Sequence, residues 1–317
     1  MKDGFEREIR YLRLSITELC NLRCRYCMPA DGVCKKSHEE MLTEDEMICA
    51  VRAAASLGIR KLRITGGEPL VKRNVLSICE RAADVPGIKE VCITTNAILL
   101  PKMAKDLRKA GVSRVNISLD TLNPEKFAYI TRIGKFEDVW AGIEAAMEAE
   151  FEKIKMNVVL IGGFNDDEIP AFGEFTKKYP IDVRFIELMP MYDSGDFKEA
   201  SYMKVGEVLD HLPPMEKIPT DGGVADLYRL PGAKGNIGLI SPVSNHFCRG
   251  CNRIRLTADG KFKPCLHSRD EYNVKGLNEE EMVEMIKKAI LAKPGQHEEL
   301  SYTQRSDANR NMNQIGG

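Results

Sequence analysis

Two groups of three cysteines are the residues whose type and spacing could hold an inorganic cofactor. The first group is Cys20, Cys24 and Cys27, with three residues between the first pair and two between the second. Thiolates bind both zinc and iron–sulfur clusters. A structural zinc site takes four protein ligands, so three cysteines leave one coordination position for another ligand. The alternatives are a zinc site with a distant fourth ligand, or buried or disulfide-forming thiols.

The second group is Cys248, Cys251 and Cys265, with two residues inside the first pair and thirteen before the last cysteine. His246 or His267 could supply a fourth ligand, which would make this a zinc site of three cysteines and one histidine. Two groups of three cysteines in a reduced chain also fit two four-iron clusters, each with one iron that lacks a protein ligand. The spacing leaves both interpretations open.

Composition limits the class of protein. The chain has 317 residues, of which 43% are hydrophobic, and its 46 Lys and Arg nearly balance 47 Asp and Glu. A net charge of −1 does not indicate binding to nucleic acid or to a membrane surface. No apolar run approaches the roughly 18 residues of a membrane-spanning helix, and the N-terminus lacks an apolar signal core. We therefore expect a cytoplasmic protein with reduced cysteines, in which the four scattered ones are small core or surface residues: Cys34, Cys49, Cys79 and Cys92.

Strands that alternate with helices must position the first cysteine group. Six strand–helix repeats predict a parallel sheet with right-handed crossovers, folded as a partial (incomplete) TIM-type α/β barrel. The predicted strands are 11–17, 61–65, 90–95, 113–119, 154–160 and 182–188. The predicted helices are 44–57, 73–84, 101–110, 136–149 and 166–179, with a short helix after Asn123 and a helical turn at 205–211.

The pattern changes from about residue 212. Proline and glycine interrupt the chain, and short strands are predicted at 228–230, 237–240, 254–257 and 261–264, with a hairpin turn at 258–260. A helix from about 279 to 292 follows, capped by Asn278. We predict two domains, a barrel over 1–211 and a smaller region of antiparallel strands and a helix over 212–317.

Polar residues recur where the predicted strands end. Because active sites of such barrels lie at the carboxyl ends of the strands, these residues predict one shared cleft. The alternative is that they are simply turn formers. Arg13, Arg63 and Lys155 lie within strands that otherwise look buried, where an unpaired charge is costly. A polyphosphate would pair with them, and an internal salt bridge is the competing explanation.

Taken together with the residues at the strand ends, the cysteine spacing resembles that of a known family. Cys20-x3-Cys24-x2-Cys27 after a strand, Tyr26, and Gly66-Gly67-Glu68-Pro69 after the second strand resemble the radical S-adenosylmethionine superfamily. The second cysteine group and the terminal Gly316-Gly317 narrow the resemblance to the GTP 3',8-cyclases of molybdenum-cofactor biosynthesis. Supporting stretches are 12–17, 63–70, 184–189 and 251–256, so the resemblance covers nearly the whole chain.

The resemblance implies a lyase that carries two 4Fe–4S clusters and uses S-adenosylmethionine. Cys20, Cys24 and Cys27 would hold the first cluster, and the second cysteine group would hold the other. A 5'-deoxyadenosyl radical would abstract the ribose 3' hydrogen of GTP. The product would be (8S)-3',8-cyclo-7,8-dihydroguanosine 5'-triphosphate, in the first step of molybdenum cofactor (molybdopterin) biosynthesis.

The resemblance also implies roles for particular side chains. The residues implied to contact S-adenosylmethionine are Tyr26, Gly67, Ser118 and Met189. Those implied to bind GTP are Arg13, Arg63, Thr94, Lys155, Arg253 and Arg255. Arg13, Arg253 and Arg255 are also implied to act in catalysis. The Gly316-Gly317 tail is expected to reach into the active-site pocket.

The implied partners are GTP, an electron donor and, by pathway, the downstream cyclic pyranopterin monophosphate synthase. Neither nucleic acid nor a membrane is expected as a partner, and the chain would be a monomer or a homodimer. One alternative is a radical S-adenosylmethionine enzyme that modifies a peptide and uses the second cluster as an auxiliary centre. A zinc or nucleic-acid-binding module without enzyme activity is disfavoured by the balanced charge and the six strand–helix units.

Overall fold

A computed structural model describes residues 1–34, 36–191, 201–220, 223–301, 304 and 306–316. Within these residues the chain forms twelve strands and eight α-helices. The strands are β1 (Tyr11–Ser15), β2 (Lys61–Thr65), β3 (Glu90–Thr95), β4 (Val112–Ser118), β5 (Lys153–Leu160), β6 (Ile181–Glu187), β7 (Glu216–Ile218), β8 (Asp226–Arg229), β9 (Ile237–Ile240), β10 (Arg253–Leu256), β11 (Lys261–Lys263) and β12 (Tyr272–Asn273). The helices are α1 (Glu44–Ser56), α2 (Val75–Ala83), α3 (Leu100–Lys109), α4 (Pro124–Thr131), α5 (Phe136–Glu148), α6 (Ile169–Lys178), α7 (Glu279–Leu291) and α8 (Met312–Ile315).

The described strands belong to one sheet, in the order β12-β11-β10-β1-β2-β3-β4-β5-β6-β9-β8-β7. The strands from β10 to β9 in this order pair in parallel, and helices connect the six central ones. This arrangement confirms the predicted partial barrel of parallel strand–helix units. The outer strands β7, β8, β11 and β12 pair antiparallel, as expected for the C-terminal part of the chain.

Two C-terminal strands differ from the expectation of an antiparallel region. β9 pairs in parallel with β6, and β10 pairs in parallel with β1 on the other side of the barrel. Each therefore extends the parallel sheet by one strand. The sequence pattern did not predict this, because no α-helix directly precedes either strand and a repeat of strand and α-helix is the local indication of parallel pairing.

Local sequence explains where the main helices begin. Thr43 and Glu46 form the capping box of α1, because the Glu46 N–H donates to Thr43 Oγ1 at 3.2 Å and the Thr43 N–H donates to Glu46 Oε2 at 2.8 Å. Asn278 caps α7 in the same way through Glu281. α1 and α7 pack against each other, so the last long helix covers the outside of the barrel beside the first.

Alternation along the strands divides the core from the cavity. On β5, Ile154, Met156 and Val158 are buried among the hydrophobic residues that pack under the helices, whereas Lys155 and Asn157 line the barrel interior. Successive side chains of a strand point to opposite faces of the sheet, so one run of residues supplies both the core and a polar lining.

All ten cysteines are free. Cys34 is exposed, Cys49 is half-buried, and Cys79 and Cys92 are buried, which confirms that the scattered cysteines are core or surface residues. Among the described residues, no helix has both the length and the apolar character needed to cross a membrane.

Candidate active site

A cavity of about 640 Å³ lies inside the barrel, and both cysteine groups line it. The remaining walls come from both ends of the strands, from the segments around β10 and from part of the C-terminal tail. The predicted ligand, cofactor and substrate residues that line this cavity are Cys20, Cys24, Cys27, Cys248, Cys251, Cys265, Tyr26, Gly67, Ser118, Met189, Arg13, Arg63, Thr94, Lys155, Arg253 and Arg255. The structure thus brings them together, and the role of each remains a prediction.

Two arginines hold the loop that carries the first cysteine group. Arg23 Nη1 donates to the carbonyl oxygens of Cys20 at 2.7 Å and Leu22 at 2.8 Å. Arg132 Nη1 donates to the carbonyl oxygens of Arg23 at 2.7 Å and Met28 at 3.2 Å. Hydrogen bonds from charged donors are stronger than neutral ones, so these contacts fix the path of the loop.

The glycine loop after β2 supports the same cysteines from the other side. The Gly67 N–H donates to the Thr17 carbonyl at 2.8 Å. A Cβ atom at Gly67 would lie 2.5 Å from the Leu19 carbonyl oxygen and 2.6 Å from that of Glu18. Only glycine fits this close approach, because a larger residue would displace the backbone that leads into Cys20.

The first three cysteines are half-buried and lie near carboxylates. Burial raises the pKa of Cys20 to about 11 and that of Cys27 to about 12, and it raises the pKa of Cys24 well above its usual value. The neighbouring thiols and Asp120 raise the pKa of Cys24 further, and Glu68 does the same for Cys20. Metal ligation requires thiolates, so a bound metal must displace these protons.

The two carboxylates are themselves buried and hydrogen-bonded. Glu68 accepts the Asn96 N–H at 2.7 Å, and Asp120 accepts the Tyr26 hydroxyl at 2.7 Å. Burial raises the pKa of Glu68 to about 7 and that of Asp120 to about 6. The Tyr26 hydroxyl is therefore held by Asp120, which orients the Tyr26 ring beside the cysteine loop.

An arginine from the N-terminal segment holds the second cysteine group. Arg7 Nη1 donates to the Cys248 carbonyl at 2.8 Å, and Arg7 Nη2 donates to the Pro294 carbonyl at 2.6 Å. The buried Asp3 carboxylate pairs with Arg7 Nε at 2.6 Å and compensates its charge. No local sequence pattern predicts this contact, because Arg7 and Cys248 are 241 residues apart.

Lys293 is a second residue whose place in the site was not predicted. It follows α7, is only 3% exposed, and donates from Nζ to the Pro264 carbonyl at 2.9 Å. Burial would raise the pKa of Cys251, but Lys293 and then Arg253 lower it below its usual value. Two cations, Lys293 and Arg253, thus act on Cys251 of the second group.

Three histidines pack beside the second cysteine group. The His297 ring lies 4.4 Å from that of His246 and 4.7 Å from that of His267, measured between centroids. Burial, followed by His297, lowers the pKa of His267 to about 3, so this ring is neutral. Within the described part of the chain, no three or more His, Cys, Asp or Glu residues are placed to hold a single metal ion. The thiolates of a four-iron cluster bind separate iron atoms, which needs a wider arrangement.

Basic side chains from several strands share the barrel interior. Arg13 on β1 is aligned with Arg63 on β2 and with Arg255 on β10. Burial and then Arg184 lower the pKa of Lys155 to about 7, and burial lowers the pKa values of Arg184 and Arg255 to about 10. In each case a nearby arginine adds to the effect, so these cations lie close to like charges. Such an arrangement favours an anionic ligand.

Arg184 belongs to this set although no role was predicted for it. It lies on β6 opposite Asn157 and lines the cavity. Within the described residues, the buried atoms Arg184 Nε, Arg253 Nε and Asn116 Oδ1 have no hydrogen-bond partner. Buried polar groups are normally satisfied, so these atoms fit a polar ligand. The alternation of β6 could have revealed Arg184, which stands two residues from the inward-facing Ile186.

The C-terminal tail reaches the basic residues. The Gly316 carbonyl accepts from Arg255 Nη1 at 2.7 Å and from Arg13 Nη2 at 3.3 Å. Gly316 has a φ of +78°, and a Cβ atom there would collide with Thr65 Oγ1. The expected reach of the tail therefore holds for Gly316, whereas Gly317 lies outside the described residues.

Comparison with known proteins covers most of the chain. Residues 14–176 match the Radical SAM superfamily, and residues 181–299 match the family Molybdenum Cofactor Synthesis C. A curated protein of Alkaliphilus oremlandii named GTP 3',8-cyclase is 47% identical over 321 residues, and one of Alkaliphilus metalliredigens with the same name is 45% identical over 322 residues. Each comparison covers 100% of this chain and 100% of the relative.

Solved structures share the fold at low sequence identity. SuiB of Streptococcus suis gives a TM-score of 0.60 at 14% identity, over 82% of this chain and 61% of SuiB. The chain therefore spans about three-fifths of the length of SuiB. Methylornithine synthase gives a TM-score of 0.50 at 12% identity, over 64% of this chain and 63% of that protein. These likenesses concern the fold alone.

Proposed function

The chain belongs to the radical SAM superfamily and, within it, to the family of GTP 3',8-cyclases, and we propose that the barrel cavity is the site of this family's reaction. The enzyme converts GTP to (8S)-3',8-cyclo-7,8-dihydroguanosine 5'-triphosphate in the first step of molybdenum cofactor biosynthesis. The observation that carries the proposal is that both cysteine groups and the basic strand residues line one cavity.

The cysteines fit the cofactors of this family. The first 4Fe–4S cluster with S-adenosylmethionine supplies a 5'-deoxyadenosyl radical when bound, and a second cluster is typical of the family. Cys20, Cys24 and Cys27 would hold the first cluster. Cys248, Cys251 and Cys265 would hold the second. Each group offers three thiols to a four-iron centre and leaves one position for the cofactor or the substrate.

The first half of the cavity suits S-adenosylmethionine, which carries a sulfonium cation. The buried carboxylates Glu68 and Asp120 lie near the first cysteines and oppose the ionisation of their thiols. Tyr26, Gly67, Ser118 and Met189 remain the proposed contacts of the cofactor, and all four line the cavity. Apolar walls such as Val159 and Ile186 limit the water that can reach a reactive intermediate.

The second half of the cavity suits a triphosphate. Arg13, Arg63, Lys155, Arg253 and Arg255 would share the phosphate charges. A close pair of opposite unit charges is worth on the order of 4 kcal/mol before desolvation, at an effective dielectric near 20. Guanidinium groups donate in a planar fork that matches phosphate oxygens.

The proposed roles of individual side chains in this half of the cavity follow from their positions on the strands. Arg253 and Arg255 lie on one face of β10, shortly after Cys251, and Arg255 is aligned with Arg13. We assign these three arginines to orientation of GTP beside the second cluster, where the ribose could face the cofactor. Thr94 is held by Arg63 Nη1 at 3.2 Å and would add a hydroxyl to the same surface. Arg184 joins the proposed phosphate contacts because its Nε is buried and points to no described acceptor.

The function is tested with protein reconstituted and assayed without oxygen. We expect GTP to trigger release of 5'-deoxyadenosine in the presence of S-adenosylmethionine and a reductant, whereas ATP should not. With GTP deuterated at the ribose 3' carbon, the label should appear in 5'-deoxyadenosine. Release that does not depend on GTP would overturn the substrate assignment and favour a peptide-modifying enzyme of the same superfamily.

The proposal also includes the partners and the cellular location of the protein. One-electron chemistry requires an electron donor, and the product would pass to cyclic pyranopterin monophosphate synthase. Ten free cysteines suit the reducing cytoplasm. We propose a monomer or homodimer in which residues 1–211 carry the first cluster and residues 212–317 carry the second cluster and the Gly-Gly tail.

A further inference from the structure

We propose that Arg310 is a positioning residue whose ion pairs fix residues 306–316, here called the tail segment, across the two cysteine loops. In this position the tail segment presents the Gly316 carbonyl to Arg255. The inference rests on the proposed function, since it concerns the same cavity. It assigns a role to an arginine that does not itself line that cavity.

Arg310 makes charge-assisted contacts with two carboxylates. Its Nε and Nη2 donate to the two carboxylate oxygens of Glu271 at 2.6 and 2.7 Å. Its Nη1 donates to Asp259 Oδ2 at 2.9 Å and to Asp259 Oδ1 at 3.1 Å. The side chain is only 13% exposed. These forked contacts use all three guanidinium nitrogens, which gives them directional specificity that a lysine could not reproduce.

The carboxylates connect Arg310 to both cysteine loops. Asp259 lies in the turn between β10 and β11, within the stretch that separates Cys251 from Cys265. Lys36 Nζ bridges Asp259 at 2.8 Å and Glu18 at 2.7 Å. Glu18 stands two residues before the first cysteine ligand, so one ionic network reaches the loops of both groups.

The tail segment also contacts both loops directly. Asn313 Nδ2 donates to the Glu18 carbonyl at 3.1 Å, just before the first cysteine group. Ser306 Oγ lies 2.9 Å from His267 Nδ1, two residues after Cys265. Together with the contact between Gly316 and Arg255, these hydrogen bonds connect the tail segment to both cysteine loops.

The local structure of the tail segment depends on such anchors. Its helix α8 has only four residues, and an isolated single turn is not stable in water. A second ion pair, between Arg269 and Asp307 at 2.7 Å, also joins the tail segment to the chain after Cys265, but Arg269 is 69% exposed. Exposed pairs contribute little, whereas removing one partner of a buried pair is costly. Arg310 is therefore the anchor, and Arg269 provides a matched control.

The test compares Arg310→Gln, Arg310→Lys and Arg269→Gln in the full chain with reconstituted clusters. In Arg310→Gln, hydrogen exchange should become faster in peptides from the tail segment, while β2 to β5 exchange as in the wild type. Because a misplacement of about 1 Å can cost about 100-fold, we expect GTP turnover to fall by about 100-fold with iron and sulfide contents unchanged. Arg310→Lys should recover part of both losses, and Arg269→Gln should match the wild type.

A double-variant cycle distinguishes positioning from general stability. If Arg310 acts through Gly316, the losses in turnover caused by Arg310→Gln and Gly316→Ala should not add, since both displace the same carbonyl. Additive losses, or unchanged exchange in the tail segment, would overturn the proposal. If Arg310→Gln cannot be reconstituted, Glu271→Gln removes one carboxylate partner and is subject to the same two criteria. Wild-type protein that does not turn over GTP would refute the proposed function, whereas the exchange measurement would still test the anchor.

Discussion

The two cysteine loops differ in their electrostatic surroundings within one cavity. Around the first loop, burial and the carboxylates Glu68 and Asp120 keep thiol pKa values high. Around the second loop, Lys293 and Arg253 lower the pKa of Cys251 despite its burial. A cavity with this polarity favours a cation at the first loop and an anion at the second, which matches a sulfonium cofactor and a triphosphate substrate.

Similar hydrogen bonds from arginine side chains hold both loops, but the number of residues between each arginine and its loop differs. Each has arginine side chains that donate to loop carbonyl oxygens. Arg23 lies inside the first loop and holds it locally, whereas Arg7 reaches the second loop across 241 residues. The first loop is thus held partly by its own Arg23 and partly by Arg132, which is 109 residues from Arg23, whereas the arginine that holds the second loop lies still further away in sequence.

The largest effect should come from removing a thiol in either loop, and the two loops should fail differently. Cys24→Ala should abolish cleavage of S-adenosylmethionine, because the first cluster loses one of its three ligands. Cys251→Ala should retain the first cluster but lose GTP turnover. Iron analysis should give about four iron atoms per chain in each variant and about eight in the wild type. Turnover of GTP by Cys251→Ala at the wild-type rate would contradict the division between the loops.

The next largest effect should be a pH dependence of GTP affinity, which arises in the basic half of the cavity. Lys155 has a pKa of about 7 because of burial and Arg184, and bound phosphate should raise it. Below pH 7 the side chain is charged with or without GTP, so affinity should be constant. Above pH 7 binding must take up a proton, so the Kd for GTP should rise about tenfold per pH unit until the pKa of the complex is reached.

Calorimetry in buffers of different ionisation enthalpy would measure this proton uptake directly. Lys155→Met should bind GTP more weakly at low pH and show no such dependence between pH 7 and 9. Arg184 and Arg255 titrate at about 10 and so lie above this window. A pH-independent Kd in the wild-type protein would contradict the assignment of Lys155 to the phosphates.

The strand–helix half of the fold was predictable because its signals are local. The predicted strands at 61–65 and 90–95 agree with β2 and β3 at both ends, and the helices that follow Thr43 and Asn278 begin at the predicted residues. The parallel pairing of β9 and β10 was not predictable in this way. It depends on partners distant in sequence, which hydrophobic alternation cannot identify.

The residues of the candidate site likewise divide into those that the sequence predicts and those that only the fold brings together. Cysteines at a characteristic spacing and arginines within buried strands are visible as residue types, and these lie around the cavity. Arg7, Lys293 and Arg310 are ordinary basic residues in sequence. Their importance comes from buried carbonyls and carboxylates that only the fold brings near them. A motif therefore predicts the groups that touch a cofactor better than those that support them.

Arg184→Met should have a smaller effect than either of the preceding changes. Loss of a hydrogen bond to a charged group costs about 1.5–3 kcal/mol, so the Kd for GTP should rise by about tenfold or more. Binding of S-adenosylmethionine at the first loop should be unchanged. Arg229→Met is a suitable control, since Arg229 is an exposed arginine on β8. Equal effects of the two variants would show that Arg184 does not contact the phosphates.

The smallest effect should be a shift in reduction potential confined to the second loop. Lys293 places a buried cation beside Cys251, and a cation stabilises the more negative, reduced form of a cluster. Lys293→Met should lower the midpoint potential of the second cluster by about 60 mV, a tenfold change for a one-electron couple. Lys293→Arg should retain most of the potential because it keeps the charge.

Redox titration followed by electron paramagnetic resonance would measure both clusters in one sample. Lys288→Met removes an exposed lysine from the same helix end and should leave both potentials unchanged. A potential shift at the first cluster, or an equal shift with Lys288→Met, would show that the field of Lys293 is not local to the second loop. A shift at the second cluster alone would mean that the fold tunes two similar sets of three thiols separately, through side chains that are distant in sequence from the cysteines they affect.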